Sequence, residues 1–222
     1  MTRLIGSIEL VVSGTRLRLL PERAVWLPDE AMLLIADAHI GKAVSFRRLG
    51  VPVPQGTTTD TLARLAKVVE RTEAQHIVFL GDLLHSARAR APDTWAAVAR
   101  WRKQHAALKL TLVRGNHDQH AGDPPTEWDV HVMGEPLRVG GLALTHHPQP
   151  LPGAYVLSGH LHPCTWVGGK AHDHLRLPCF HFGAAVGVLP AFGAFTGMHA
   201  VRAAPGDRIY AIADDQVLAL PP

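Results

Sequence analysis

Apolar and polar residues alternate from Ile8 to Val12 and again from Thr15 to Leu20, on either side of Ser13-Gly14. A two-residue period broken by a turn signal predicts an opening β-hairpin. Met32 to Ala36 is instead a continuous apolar run, the pattern of a strand buried on both faces, and it stops at Asp37-Ala38-His39. Residues 41–56 carry Gly41, Gly50, Pro52, Pro54 and Gly56 around Phe46, Arg47 and Arg48, a mixture that predicts a long loop. Leu62, Leu65, Ala66 and Val69 then fall at helical spacing behind Thr59 or Asp60 as cap. Ile77 to Leu80 predicts a second buried strand, ending in Gly81-Asp82. Asp93 to Leu108 predicts a second helix with Trp95, Val98 and Trp101 on one face. Leu110 to Val113 predicts a third strand, ending in Gly115-Asn116-His117-Asp118.

From Val130 onward the helical period is lost and short strands take over: Val130 to Met133, Leu137 to Val139, Leu142 to Thr145, Ala154 to Leu157, Leu175 to Phe182 and Ile209 to Ala213. A βαβαβ half followed by a strand-rich half, without repeats, in 222 residues predicts an α/β fold of one domain over residues 1–222. No apolar run approaches the roughly 20 residues of a bilayer span, and Glu9 interrupts the only candidate leader, so cytoplasmic residence without a membrane is expected. Cys164 and Cys179 lack the spacing of a zinc site or a disulfide framework and read as buried thiols. A net charge of +3 tolerates a polyanionic partner without requiring one. The fifteen histidines change the picture more, because imidazole accumulates where metals or protons are handled.

Five polar clusters each follow a predicted strand: Asp37-Ala38-His39, Gly81-Asp82-Leu83-Leu84-His85, Gly115-Asn116-His117-Asp118, Thr145-His146-His147 and Gly159-His160-Leu161-His162. In open α/β sheets, strand carboxyl ends deliver residues distant in sequence to one crevice. Carboxylate, amide oxygen and imidazole together suit divalent cations of intermediate hardness, with manganese, iron(II) or zinc as candidates. A pair of such cations needs a bridging carboxylate, and Asp82 is the natural bridge. Singly, each tripeptide is a weak signal and Gly-Asn-His-Asp is a plausible turn. The ordered set of five is not readily explained by turns alone.

The order and residue types resemble the calcineurin-like metallophosphoesterases, whose pattern is DxH, GDxx(D/H), GNH(D/E), a strand-terminal His and GHxH. The LIADAHIGK stretch, the following FRRLGVPVP segment, GDLLH and LPAFGAFTG at 189–197 are similar to the bacterial ligase-associated DNA-damage-response phosphodiesterases of the PdeM group. That resemblance implies a four-layer αββα sandwich of two mixed β-sheets flanked by helices. It implies Asp37, His39, Asp82 and His162 around one metal and Asp82, Asn116, His146 and His160 around the other, with His117 protonating the leaving oxygen. It further implies a manganese-dependent single-strand DNA endonuclease of DNA repair, using a metal-bridging hydroxide for in-line attack, in functional association with a DNA ligase, helicase or exonuclease. Nothing in the residues speaks to oligomeric state.

Several residues keep two readings. His147 stands where relatives place Gly, so the ligand is His146 or His147, and the family register selects His146. Asp118 either orients His117 or caps the turn. His85, Arg47 and Arg48 are candidates for substrate phosphates, against solvated surface positions for the arginines. His172-Asp173-His174 reads as a polar hairpin tip. Phe192, Phe195 and Trp166 read as core before they read as base-stacking platforms. A phosphomonoesterase or nucleotide pyrophosphatase with the same metals is the alternative activity. A non-catalytic interaction module is disfavoured by the complete ligand set.

Overall fold

A computed structural model describes residues 4–168 and 174–221. The first half runs β1 (Ile8–Val12), β2 (Thr15–Leu20), β3 (Ala24–Leu27), β4 (Met32–Ile35), α1 (Lys42–Arg48), α2 (Thr57–Thr72), β5 (His76–Leu80), α3 (Pro92–Gln104), β6 (Lys109–Val113), α4 (Asn116–Ala121) and β7 (Val130–Met133). The second continues with β8 (Leu137–Val139), β9 (Leu142–Leu144), β10 (Tyr155–Ser158), β11 (Pro163–Gly168), β12 (His174–Phe182), β13 (Val186–Val188), β14 (His199–Ala200), β15 (Arg208–Ala213) and β16 (Gln216–Ala219).

These strands build two mixed sheets in an α/β fold. The first keeps sequence order from β1 to β7, antiparallel through β4 and parallel from β4 to β7. The second runs β14-β11-β12-β13-β10-β9-β8, with β15 and β16 added beside β12. Within it β9, β10 and β13 are parallel. The carboxyl ends of β4, β5 and β6 therefore share one edge, and those of β9 and β10 share another.

The two-residue period explains how the first sheet is buried on both faces. Leu33 and Ile35 of β4 pack with Leu62, Leu65 and Val68 of α2 and with Val98 and Trp101 of α3. Their neighbours Met32 and Leu34 point the other way, into a cluster with Leu142, Leu144, Leu157 and Phe180 of the second sheet. Burying each Leu or Phe in such a layer stabilises the fold by about 1.5–3 kcal/mol. A continuous apolar run is what a strand between two apolar layers requires. Among the described residues, all four α-helices precede residue 129.

Several expectations are corrected. Residues 41–56 are not all loop, since Lys42–Arg48 form α1 after Gly41 adopts the left-handed conformation (φ 78°). Gly41, Gly50, Pro52, Pro54 and Gly56 flank a glycine- and proline-free stretch long enough for two turns. Gly56 (φ 81°) starts α2 at Thr57, before the expected Thr59 or Asp60 cap. Strands β3, β11, β13, β14 and β16 are too short or too polar for a periodicity signal. Trp166 is 57% exposed rather than core, whereas Phe192 is fully buried. Both cysteines are buried and free. His172 and Asp173 of the expected hairpin tip lie outside the described residues, and His174 opens β12.

Candidate metal centre

Each chemistry-bearing motif sits just past a strand. Asp37 and His39 follow β4, Asp82 follows β5, Asn116 follows β6, His146 follows β9, and His160 and His162 follow β10. To turn their side chains inward, five of these seven residues adopt left-handed backbone: Asp37 (φ 52°), His39 (44°), Asp82 (51°), His160 (73°) and His162 (48°). Non-glycine residues in this region carry a strain of order 1–3 kcal/mol each, which persists where the surroundings over-determine it. The motif glycines serve the same approach. A Cβ on Gly115 would lie 2.4 Å from Asp82 Oδ1, and one on Gly159 would lie 2.6 Å from Asp37 Oδ2. Glycine is thus what lets these backbones close on the carboxylates.

The side chains converge as two overlapping groups. In one, His39 Nε2 lies 3.3 Å from His162 Nε2 and 3.7 Å from Asp82 Oδ2, while His162 Nε2 is 3.5 Å from Asp37 Oδ1. In the other, His146 Nε2 is 2.8 Å from Asn116 Oδ1, 3.0 Å from His160 Nδ1 and 3.6 Å from Asp82 Oδ1. The two oxygens of Asp82 thus face different groups. Metal–nitrogen bonds of ~2.0–2.1 Å hold neighbouring ligand nitrogens roughly 3.0–3.4 Å apart, the spacing seen here.

A cation fits this donor set. Asp37 is fully buried, its Oδ2 accepts the His160 N–H at 2.9 Å, and its Oδ1 has no hydrogen-bond partner. A buried carboxylate oxygen without a donor is costly unless a cation meets it. The imidazoles are oriented from behind: His146 Nδ1 donates to the Leu80 carbonyl at 3.0 Å and His162 Nδ1 to that of Gly197 at 3.1 Å. Each bond leaves the inward Nε2 as a lone pair. Burial, followed by the Lys42 charge, holds His39 far below the usual imidazole range, and burial lowers His146 and His160 as well. Neutral imidazole is the ligating form. Burial and then the Asp37 charge raise the Asp82 pKa, a repulsion that bound cations reverse.

His117 stands beside these groups. Its Nδ1 donates to the His85 carbonyl at 2.8 Å, and its Nε2 faces Asp82 Oδ2 at 4.0 Å. His85 stacks on His117 at 4.9 Å, and its Nδ1 lies 3.4 Å from His39 Nδ1. Burial, ahead of Lys42 and His117, brings the His85 pKa down to about 4. Asp118 does not touch the His117 ring. Its carboxylate accepts the N–H groups of Leu84 (3.1 Å) and Gly115 (3.0 Å), while burial pushes its pKa up to about 6. Of its two readings the bonds are those of the turn cap, since the Gly115 N–H bond closes a capping box at the start of α4, and the Leu84 bond adds a tie to the β5 motif. Arg47 bonds the Pro54 carbonyl at 3.0 Å, and Arg48 that of Arg90 at 3.5 Å.

His147 is held by Glu135, its Nδ1 2.9 Å from Oε1, and the other Glu135 oxygen accepts the His146 and His147 N–H groups. Sequence reasoning missed Glu135, which sits between β7 and β8 with no motif around it. It also missed Lys42, half-buried and within the fields of Asp37 and Asp82, although its place three residues after His39 was a signal.

The calcineurin-like phosphoesterase family profile matches residues 32–144. The chain belongs to this family. It is also similar to the solved structure of Pseudomonas putida nuclease MPE, with 41% identity, a TM-score of 0.85, and coverage of 96% of this chain and 100% of that one. Yfce, a phosphoesterase from E. coli, is a distant likeness at 14% identity and a TM-score of 0.44, covering 85% of this chain and 96% of that one. A comparison with curated proteins gives no match. The chain is accordingly a phosphoesterase or nuclease of the metallophosphoesterase class, and the family implies a two-metal divalent site. Among the described residues, Asp37, His39 and His162, and Asp37, Asp82 and His146, are groups able to hold an ion. No helix among the described residues is long and apolar enough to cross a membrane.

Proposed function

We propose that this protein is a manganese-dependent phosphodiesterase that cuts single-stranded DNA in repair, acting in the cytoplasm as one domain spanning residues 1–222. Asp37, His39, Asp82 and His162 hold one cation, and Asp82, Asn116, His146 and His160 hold the other. The observation that carries this reading is the convergence of seven ligand-type side chains in two overlapping groups, with the partnerless oxygen of buried Asp37 3.5 Å from His162 Nε2. The likeness to a nuclease structure over the whole of that chain favours a nucleic acid as substrate.

Bound in this donor set, the cation pair supplies Lewis-acid stabilisation of the phosphoryl oxygens and activation of water. The protein's own part is proton handling and placement. His117, anchored through Nδ1 to the His85 carbonyl, presents Nε2 toward Asp82 and, as the imidazolium with both ring nitrogens protonated, gives the Nε2 proton to the departing oxygen and is left neutral. Lys42, Arg47 and Arg48 offer positive charge to the phosphates flanking the scissile one. His85 keeps the His39 ring in register by sharing a proton between the two Nδ1 atoms.

The test is a matrix of Mn²⁺, Fe²⁺, Zn²⁺ and EDTA against single-stranded DNA, duplex DNA, a phosphodiester reporter and a phosphomonoester reporter. Cleavage of single-stranded DNA with Mn²⁺, lost in Asn116→Ala and His117→Ala, supports the proposal. Monoester or nucleotide turnover with DNA left intact replaces it with the phosphomonoesterase or pyrophosphatase reading.

A further inference from the structure

Beside the metal centre lies a recess of about 320 Å³, lined by Ser45, Phe46 and Leu49 from the α1 segment, His85 and Ser86 from the β5 motif, and His120 of α4. Its volume is at the lower end of small-ligand pockets, ~300–1,000 Å³. Its floor is aromatic: the Phe46 ring stands 5.9 Å from His85 and is braced edge-on by Phe195 at 5.7 Å. Leu49, 60% exposed, forms an apolar lip. Polar atoms also line it. Ser45 and Ser86 share a hydroxyl contact of 2.9 Å, and His120 Nδ1 is occupied by the Asn116 carbonyl at 2.8 Å, which turns Nε2 outward. The recess joins the candidate metal ligands through His85, whose Nδ1 is 3.4 Å from His39 Nδ1.

The geometry points to this recess as a pocket for one unpaired nucleobase, that of the nucleotide adjoining the scissile phosphate. The inference rests on the DNA reading above and deepens it. An aromatic face with hydroxyl and imidazole groups in the same lining suits a flat heterocycle with polar edges. A base within a duplex cannot enter without leaving its stack, so the pocket itself selects single strands.

The experiment compares kcat/KM on p-nitrophenyl thymidine 5′-phosphate with that on methyl p-nitrophenyl phosphate, and maps cleavage of oligodeoxynucleotides carrying one abasic position. Loss of a base–aromatic stack is expected to lower the nucleoside-to-methyl ratio about five- to 150-fold in Phe46→Ala. Phe46→Tyr, which keeps the ring, restores it, and this separates stacking from a folding defect. The wild-type protein is expected to avoid phosphates beside the abasic position. An unchanged ratio in Phe46→Ala, or equal wild-type turnover of the two esters, overturns the pocket. If oligonucleotides stay intact while the nucleoside preference and its Phe46 dependence hold, the DNA reading fails and the base pocket stands.

Discussion

Asp37→Asn separates the cost of the metal site from its benefit. The native carboxylate is fully buried, one oxygen has no donor, and its charge adds to burial in pushing the neighbouring Asp82 pKa up. In the variant the amide oxygen still accepts the His160 N–H. The new NH₂ group faces the His162 Nε2 lone pair, 3.5 Å from the native Oδ1. Leaving a buried polar atom unsatisfied costs about 1–3 kcal/mol, and more when it is charged, so the chelated variant should gain at least about 1–3 kcal/mol over chelated wild type. At ~2–4 °C per kcal/mol for a chain of this size, its Tm in EDTA should rise by about 2–12 °C. With Mn²⁺ at ~100 times Kd, wild type should gain about 2.7 kcal/mol per site, or roughly 5–11 °C. The variant keeps the second ligand set and should gain only that site's share, so its lead over wild type in EDTA should shrink by roughly 5–11 °C in Mn²⁺. Thermal scans in EDTA and in Mn²⁺ read both shifts. A variant that melts below wild type in EDTA, or shows the full manganese shift, refutes the reasoning.

Other perturbations act on separate parts of the account. His117→Ala should lower kcat by about 10²–10⁴-fold with metal content unchanged by elemental analysis, because the role proposed for its ring is proton donation and not ligation. Gly115→Ala would drive a Cβ to within 2.4 Å of Asp82 Oδ1 and 2.7 Å of Asp82 N, and should reduce bound metal in the same analysis. Glu135→Gln weakens the hold on His146 and His147, and a metal titration should show a 10–100-fold loss of affinity. Asp207 accepts the Ala204 N–H and pairs with His181 at 2.7 Å, which together lower its pKa. Its stabilising effect is therefore complete above the unfolded carboxyl pKa of ~3.9 and lost as pH falls through the lower folded value. Asp207→Asn should flatten the acid limb of a denaturant-monitored stability profile, and an unchanged limb counts against the pairing.

The legible parts of this chain were those with a period or a punctuation mark. Met32 to Ala36, Ile77 to Leu80 and Leu110 to Val113 read as strands because burial on both faces leaves no charged position. Their motifs read as a site because strand ends project residues to one edge. α1 stayed hidden because Gly41 and Gly50, which bracket it, are the same residues that signal a loop. The partner of the His117 ring was also hidden. The neighbouring acid Asp118 was an obvious candidate in sequence, yet the bond goes to the carbonyl of His85, and a backbone group leaves no trace in residue type. Glu135 was invisible for a related reason, since it reaches the site only through pairing of β8 with β9. Trp166 is large and apolar, so residue type alone argued for the interior, against its 57% exposure on β11.

The most direct measurement is anomalous diffraction at the manganese edge from crystals grown with Mn²⁺. Two peaks roughly 3.5–4 Å apart are expected, one among Asp37, His39, Asp82 and His162 and the other among Asp82, Asn116, His146 and His160. A single peak elsewhere, or none between these side chains, would contradict the account.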